Sequence, residues 1–235
     1  MAGVQVSDIM NIVIIGIGGI GTHLLYPLLQ YLRGEDFYEN IILVDGDKFE
    51  SKNKDRQIVP IIGVNKADAT ARYYRELGFE LNSYPEYLTK DNIKRIIHEG
   101  DVVLVCVDNN ATRKMLDISL HGYDELTVIS GGNELHDGNV QVVQVKEGMH
   151  TTPTMIENHP EIGKPTDKNP NDMSCQELQH SQPQISVVNA GIADIMRRVF
   201  FGLHMEGIDY NETYVNFKNG NIRNVKLGDG KRLRI

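Results

Sequence analysis

The first part of the chain alternates between short apolar runs and longer stretches of mixed polarity. Uninterrupted apolar runs bounded by glycine or acidic residues predict strands that are buried on both faces, and the mixed stretches between them predict helices. The predicted strands are residues 11–21, which end in a glycine turn, 40–45, 79–84, 101–108 and 126–132, and the predicted helices are 22–32, 64–77, 91–98 and 109–120. This alternation indicates an α/β fold with a doubly wound, mainly parallel sheet and helices on both of its faces.

The pattern changes after Gly132, where "GNVQVVQV" predicts a further strand that we expect to be antiparallel. Residues 147–171 are rich in Pro, Thr, Asn and His and predict a long, mobile surface loop. A helix at 185–204 and a hairpin around Asn219-Gly220 are expected to follow. The predicted organisation is one domain over residues 1–235, with an α/β core at 11–132, a mobile loop at 147–183, and the late helix and hairpin at 184–235.

The turn after the first strand is rich in glycine. Gly16, Gly18 and Gly21 match the pattern G-x-G-x-x-G, and Gly19 is an additional glycine. Between a strand and a helix, such a turn lets backbone approach a phosphate, while the helix N-terminus offers free N–H groups. Asp45, at the end of the second strand, can accept hydrogen bonds from ribose hydroxyls. A tight turn that needs positive φ would explain the glycines without a ligand. The context favours a Rossmann-like nucleotide-binding fold, but NAD, FAD and ATP proteins all use such turns.

Polar and charged residues crowd the segment "VDGDKFESKNKDRQ", which follows the second strand. The candidate site residues beyond Asp45 are Asp47, Asn53, Arg56, Gln57, Lys66 at the start of the next helix, and the pair Asp108-Asn109 after the strand at 101–108. Since the carboxyl ends of parallel strands lie along one edge of a sheet, we expect Gly18, Asp45 and Asp108 to converge there, with the loop that carries Asn53 and Arg56 folded over them. Taken singly, Arg56 or Lys66 would be an ordinary surface residue, and Asp108 an ordinary helix N-cap.

Taken together, these residues resemble the ThiF/MoeB/ubiquitin-activating-enzyme family of ATP-dependent adenylyltransferases. That family's motif combines an aspartate pair, an Asn, an Arg-Gln pair and a Lys at fixed spacings, followed by a later Asp-Asn pair. The matching residues are Asp45, Asp47, Asn53, Arg56, Gln57, Lys66, Asp108 and Asn109, with Arg113 as the usual downstream arginine. The resemblance covers about residues 11–145 well and 172–204 weakly, and the short chain fits compact bacterial or phage ThiF-like members best.

The resemblance implies an enzyme that uses ATP to activate the C-terminal carboxylate of a small ubiquitin-like or sulfur-carrier-like protein as an acyl-adenylate, with release of pyrophosphate. In that site Arg56 and Lys66 would face the phosphates, Asp108 would hold Mg²⁺, and Asp45 would take the ribose. The other residues that would line the nucleotide site are Gly16, Gly18, Gly19, Gly21, Asp47, Asn53, Gln57 and Asn109. The family's habit of pairing makes a homodimer a further expectation.

Two cysteines and three histidines complete the candidate chemistry. Cys106 lies within an apolar strand and is expected to be inert core. Cys175 falls near the family's crossover-loop cysteine, so the resemblance gives it the role of accepting the activated carrier, although a thiol without an evident activating base is usually a bystander. His150, His159 and His180 match no familiar zinc spacing, and the family's C-x-x-C pairs are absent, so no zinc is expected.

Composition narrows the functional classes. The net charge of −8 argues against a nucleic-acid partner, because phosphate neutralisation requires a basic surface. Neither a membrane-spanning run nor a secretory leader is evident, which together with the few cysteines predicts a cytoplasmic protein without membrane contact. Two alternatives remain: an NAD-type oxidoreductase, which leaves Arg56, Lys66 and Asp108 unexplained, and a non-catalytic nucleotide-binding scaffold, which needs no such polar set.

Overall fold

The computed structural model describes residues 10–35, 37–58, 60–168 and 185–235. Their strands form one mixed β-sheet. The strands are β1 Met10–Ile15, β2 Tyr38–Val44, β3 Asn82–Tyr84, β4 Val102–Val105, β5 Leu126–Asn133, β6 Asp137–Lys146, β7 Met149–His150, β8 Tyr210–Asn216 and β9 Asn221–Lys226. The helices are α1 Gly19–Leu32, α2 Lys66–Glu76, α3 Ile93–Ile96, α4 Asn110–Ser119, α5 Met155–Asn158 and α6 Ser186–Met205, with 3-10 turns at Ser51–Asn53, Leu120–Gly122 and Pro160–Gly163.

The strand order is β3-β2-β1-β4-β5-β6-β8-β9, with β7 paired to β6. The pairs from β3 to β5 are parallel, and those from β5 onwards are antiparallel. The fold class is therefore confirmed: a doubly wound, mainly parallel sheet continues into antiparallel strands and a C-terminal hairpin, with Gly220 at φ +75° in its turn. The strand order reverses between β1 and β4. In open α/β sheets, the ligand crevice lies at this position, beyond the carboxyl ends of the two strands.

Helices cover both faces of the sheet, which explains the uninterrupted apolar strands. Residues of α1, α2 and α6 share one buried core, and residues of α3, α4 and α5 share the other. Pro27 lies inside α1 on its exposed side and cannot donate to the carbonyl of His23. That carbonyl instead accepts a hydrogen bond of 2.9 Å from Nη1 of Arg197 on α6, so the helix continues past the proline. None of the helices in the described ranges combines the length and apolar content needed to cross a membrane.

The first half of the predicted mobile loop contains regular secondary structure, which its composition did not predict. Residues 147–168 contain β7, α5 and the 3-10 turn at Pro160–Gly163, and the side chains of Met155 and Ile162 are buried against α4. The carboxylate of Asp117 on α4 accepts the backbone N–H groups of Met155 at 2.8 Å and Ile156 at 3.2 Å. The segment is therefore fixed to α4 by the buried side chains of Met155 and Ile162 and by the carboxylate of Asp117, although its composition indicated a loop. Residues 169–183 of the predicted loop lie outside the described residues.

Two predicted elements are shorter than their patterns indicated. The strand expected at 79–84 pairs only over β3, and the helix expected at 91–98 is limited to the four residues of α3. Thr89 and Asn92 exchange hydrogen bonds that close a turn before α3. After α3, the carboxylate of Asp101 accepts the N–H of His98 at 2.8 Å, which turns the chain towards β4.

Candidate active site

The first and last glycines of the turn after β1 are required by close backbone packing. Gly16 has φ +91°, and a Cβ built on it would lie 3.0 Å from the backbone of Cys106 at the end of β4. A Cβ on Gly21 would lie 2.1 Å from the carbonyl oxygen of Gly16. Both glycines therefore let the turn fold tightly against β4, at the crevice between β1 and β4.

The two central glycines differ from each other. A Cβ on Gly18 would meet only Nε2 of Gln57, at 3.9 Å, so the turn is open here and a phosphate could approach its backbone. A Cβ on Gly19 would instead lie 2.1 Å from Nδ2 of Asn189 on α6. Sequence reasoning grouped all four glycines as a phosphate cradle. A side chain would find open space at Gly18 but would collide with Asn189 at Gly19, so only the second of these glycines is required by packing. The role of both as phosphate ligands stays a prediction.

Asp45 fastens the glycine turn to the end of β2. Its carboxylate accepts the N–H of Ile17 at 2.6 Å and the N–H of Asp47 at 2.8 Å. Burial raises the pKa of Asp45 to about 6, although nearby Lys66 acts in the opposite direction. The side chain is at the crevice, as expected for a ribose ligand, and it also has a structural task that the sequence did not reveal.

Lys66 is a buried cation at the start of α2. It is only 7% exposed, and its Nζ lies 3.0 Å from Oδ2 of Asp47. Burial alone would lower the pKa of Lys66, but the carboxylates of Asp45, Asp47 and Asp108 outweigh it and raise the pKa. The ammonium group is therefore charged and lies among the acidic residues that end β2 and β4. Three of the candidate carboxylates, Asp45, Asp47 and Asp108, thus act on one buried lysine.

Neighbours that sequence reasoning missed hold the two aspartates in place. The hydroxyl of Tyr87 donates to Oδ1 of Asp47, and the Tyr87 ring lies so close to Gly46 that no Cβ would fit there. Asn65, the N-cap of α2, donates from Nδ2 to the carbonyl of Asp45 at 2.8 Å. The dipeptide Asn65-Lys66 carried a cap signal, whereas nothing in the sequence linked Tyr87 to this loop.

The charged loop between Asp47 and Lys66 contains a structural turn. Asn53 is buried, and its Oδ1 accepts the N–H of Glu50 at 2.8 Å, which closes the 3-10 turn. Arg56 is half-buried beside α1, where its backbone is hydrogen-bonded to the ring of His23. Gln57 reaches the open side of Gly18. Asn53 therefore braces the loop, and Gln57 is the residue of this group closest to the glycine turn.

At the end of β4, three polar residues have separate tasks. Asp108 is exposed, whereas Asn109 is the N-cap of α4 and accepts the N–H of Thr112 at 2.8 Å. The alternative assignment of the cap to Asp108 is therefore wrong. Arg113 is buried and donates to the carbonyls of Val107 at 2.7 Å and Gly131 at 2.9 Å. Asp108 therefore does not cap α4, and its carboxylate is close enough to Lys66 to help raise the pKa of that ammonium group.

The sulfur and imidazole candidates among the described residues have surroundings of their own. Cys106 is buried, and burial raises the pKa of its thiol to about 12, in line with an inert core residue. Cys175 and His180 lie outside the described residues. His159 contacts Glu212 and Glu161, and the ring of His150 packs on that of His121. Within the described ranges, no group of three or more His, Cys, Asp or Glu side chains has the geometry of a metal site.

Comparisons with known proteins place this geometry in context. The ThiF family model matches residues 3–232. The chain is 31% identical over 139 residues to the adenylyltransferase and sulfurtransferase UBA4 of Debaryomyces hansenii, which covers 57% of this chain and 30% of that protein. It is 35% identical over 115 residues to the protein of the same name from Aspergillus fumigatus, with 45% and 22% covered. The chain thus spans less than a third of the length of these relatives.

Solved structures agree on the fold. E. coli MccB with ATP superimposes on 94% of this chain and 65% of its own, with a TM-score of 0.66 and 16% identity. E. coli MccB alone gives a TM-score of 0.67 at 14% identity and covers 97% of this chain and 64% of its own. At such low identity, these likenesses establish the architecture and leave the chemistry to the residues at the crevice.

Proposed function

Because the chain belongs to the ThiF family, we propose that it is an ATP-dependent adenylyltransferase. Its substrate is the C-terminal carboxylate of a small ubiquitin-like or sulfur-carrier-like protein. A carboxylate oxygen attacks the α-phosphorus of ATP and forms the acyl–phosphate bond. The bond from that phosphorus to the bridging oxygen breaks, and pyrophosphate leaves with the electron pair. No group on the enzyme forms a covalent bond in this step.

The main difficulty of this reaction is charge, since an anion attacks an anion. Catalysis therefore depends on positioning and on cations that are held in place before the substrates arrive. The buried ammonium of Lys66 carries the proposal, because it is fixed at 3.0 Å from Asp47 and is influenced by the carboxylates that follow β2 and β4. Arg56, on the loop that reaches the turn, would supply the second cation.

The acidic residues fit the remaining parts of ATP. Asp45, buried at the end of β2, would accept from the ribose, while the N–H groups at the start of α1 would receive phosphate oxygens. One exposed carboxylate beside bound phosphates is the ligand set that Mg²⁺ commonly takes from proteins, so Asp108 fits the ion. When bound, Mg²⁺ would neutralise charge on the phosphates and on the leaving pyrophosphate.

The alternatives explain less of the crevice. An NAD-type oxidoreductase would use the glycine turn and Asp45, but would have no task for a buried lysine among three carboxylates. A scaffold would gain nothing from burying that cation, since isolated charges are costly to bury. Retention of the whole set supports the adenylyltransferase. The homodimer stays a prediction, and Cys175 is proposed as acceptor of the activated carrier, to be tested by loss of a thiol-sensitive adduct in Cys175→Ser.

The first test is calorimetric titration with ATP and Mg²⁺, set beside NAD. Asp108→Ala should weaken binding of ATP with Mg²⁺ at least tenfold and leave the melting temperature nearly unchanged, because Asp108 is exposed and does not cap α4. Asp229→Ala is the matched control, because it removes an equally exposed carboxylate that follows β9, at the opposite end of the sheet from β4. Its ATP affinity and melting temperature should both stay close to wild type.

A second assay tests the chemistry itself. Exchange of labelled pyrophosphate into ATP, with a peptide that ends in Gly-Gly as the carboxylate, should occur in wild type and collapse in Arg56→Ala. Binding of NAD in place of ATP would overturn the proposal in favour of an oxidoreductase. ATP binding that is equally strong in wild type and Asp108→Ala would remove Asp108 from the metal site.

A further inference from the structure

Asn189 is an unusual residue for its position in α6. It lies in the buried face of the helix with Val188, Ile192, Ala193 and Met196, and its side chain is 0% exposed. Among the described residues, neither Nδ2 nor Oδ1 of Asn189 has a hydrogen-bond partner. A buried amide without partners opposes folding, so an apolar residue would suit this core better. A buried polar group without a partner calls for an explanation, and a role in ligand binding is one.

The amide of Asn189 points at the glycine turn. A Cβ built on Gly19 would lie 2.1 Å from Nδ2, 2.6 Å from Cγ and 2.9 Å from Oδ1 of Asn189. Gly19 is the first residue of α1, a helix of 14 residues whose N-cap, Gly18, has no side chain and whose first turn carries no acidic residue. The buried amide therefore lies directly behind an open helix N-terminus.

We propose that Asn189 is a positioning residue for the triphosphate of the nucleotide. It acts through the glycine turn, because its amide packs against Gly19 and so limits where the start of α1 can lie when the N–H groups there meet phosphate oxygens. When phosphate draws these N–H groups forward, the amide of Asn189 gains the turn's backbone as its hydrogen-bond partner. This inference rests on the proposed function, and it explains why a fourth glycine, Gly19, stands at a position that the G-x-G-x-x-G pattern leaves free.

The location of Asn189 makes a specific prediction about ligands. Asp45 lies on β2 and would hold the ribose, whereas Asn189 lies behind the N-terminus of α1, where phosphates bind. Removal of the amide should therefore affect ligands in proportion to their phosphates. A residue with a purely structural task would change the affinity of ATP and adenosine alike.

The experiment measures ATP, ADP and adenosine affinities by calorimetry in wild type, Asn189→Leu and Asn189→Ala. Leu keeps the branched shape of the side chain, and Ala covers the case in which Leu does not fold. We expect about a tenfold loss of ATP affinity, because that factor corresponds to the net free energy of about one hydrogen bond, here the bond between the Asn189 amide and the turn. The affinity for adenosine should stay within twofold of wild type. Asn211→Leu is the control, because Asn211 on β8 is also buried with an unpartnered Nδ2 but lies far along the sheet from the turn.

The outcomes separate this inference from the proposed function. Loss of ATP affinity in both Asn189 variants, with adenosine and the Asn211 variant unaffected, supports it. Equal losses for ATP and adenosine, or no loss of affinity, overturn the inference about Asn189. The proposed function still stands in that case if wild type binds ATP and Asp108→Ala weakens the binding. Failure of wild type to bind ATP overturns both.

Discussion

Two segments border the carboxyl edge of the parallel strands, and they are held in opposite ways. The charged loop, residues 45–66, is held by buried charges: Asp45 and Lys66 are 8% and 7% exposed. The second segment, residues 149–168, is held by side chains that cap helix ends, since Asp117 receives two N–H groups of α5. Charge fixes the segment that would meet the nucleotide, whereas capping fixes the segment beside it. The first should therefore be sensitive to loss of a single cation, and the second to loss of single acceptors.

Lys66→Met should give the largest effect. It leaves Asp45 and Asp47 without their buried cation, which costs about 3 kcal/mol when one partner of a buried pair is lost. The pKa of Asp45 is already raised to about 6 by burial, so in wild type the stability linked to this group is present below its ordinary pKa and lost as pH rises through 6. Without Lys66 that pKa rises further, so the penalty should be large at pH 7.5 and small at pH 5.

Urea unfolding at the two pH values measures this difference. The control is Arg72→Met on the same helix, which removes an exposed cation paired with Glu76 at 3.5 Å. A surface pair of this kind is worth about 0.5 kcal/mol or less. Equal costs for the two variants, or a cost of Lys66→Met that does not depend on pH, would contradict the buried-charge account of the loop.

Asp117→Ala should release the second segment. The backbone N–H groups of Met155 and Ile156 would lose their acceptor, and the buried Met155 and Ile162 would lose their anchor. We expect a loss of about 2 kcal/mol, because two buried donors are left unpaired. Hydrogen exchange in residues 155–163 should rise, while ATP affinity stays within twofold. Asp194→Ala on α6 is the control, because the side chain of Asp194 is 44% exposed and pairs with Arg198 on its own helix. Protection that is unchanged in Asp117→Ala would contradict this assignment.

The contrast also explains what could be predicted from sequence. Asp45, Asp47, Asn53, Arg56 and Lys66 lie within 22 positions of one another, so their spacing alone indicated a site. The alternation of strands and helices from β1 to β5 could be predicted equally well, because buried parallel strands are continuous apolar runs.

The second segment could not be read in the same way. Asp117 is 38 positions from Met155, and Asp167 is 57 positions from Asn110, so no local pattern links the partners. The contact between Asn189 and Gly19 could not be predicted for the same reason, since it forms only when α6 packs on α1. Sequence patterns report local periodicity, whereas caps between distant elements depend on the finished fold.

His159 should make the second segment sensitive to pH. The hydrogen bond that the His159 ring donates to the Glu212 carboxylate is the main cause that raises the pKa of His159, and Glu161 adds to it. Asn139 and Tyr214 are the other groups around the ring. A raised histidine pKa means that its stabilisation is complete below about 6.5 and is lost as pH rises through the folded value. Between pH 6.5 and 9, wild type should therefore lose about 1 kcal/mol more than His159→Gln. Parallel curves for the two proteins would remove His159 from the pH response.

Asp167→Asn should give the smallest effect, and it tests whether the two segments influence each other. The Asp167 carboxylate accepts the N–H groups of Asn110 at 2.8 Å and Ala111 at 2.9 Å, next to Asp108 at the start of α4. It therefore adds an exposed negative charge close to the proposed triphosphate. Removing this charge should strengthen ATP binding about twofold at low salt, and the gain should vanish at 1 M salt, where the Debye length is about 3 Å. A gain that persists at high salt would show that Asp167 acts by holding the segment over the crevice, in which case capping and charge would operate on the same site.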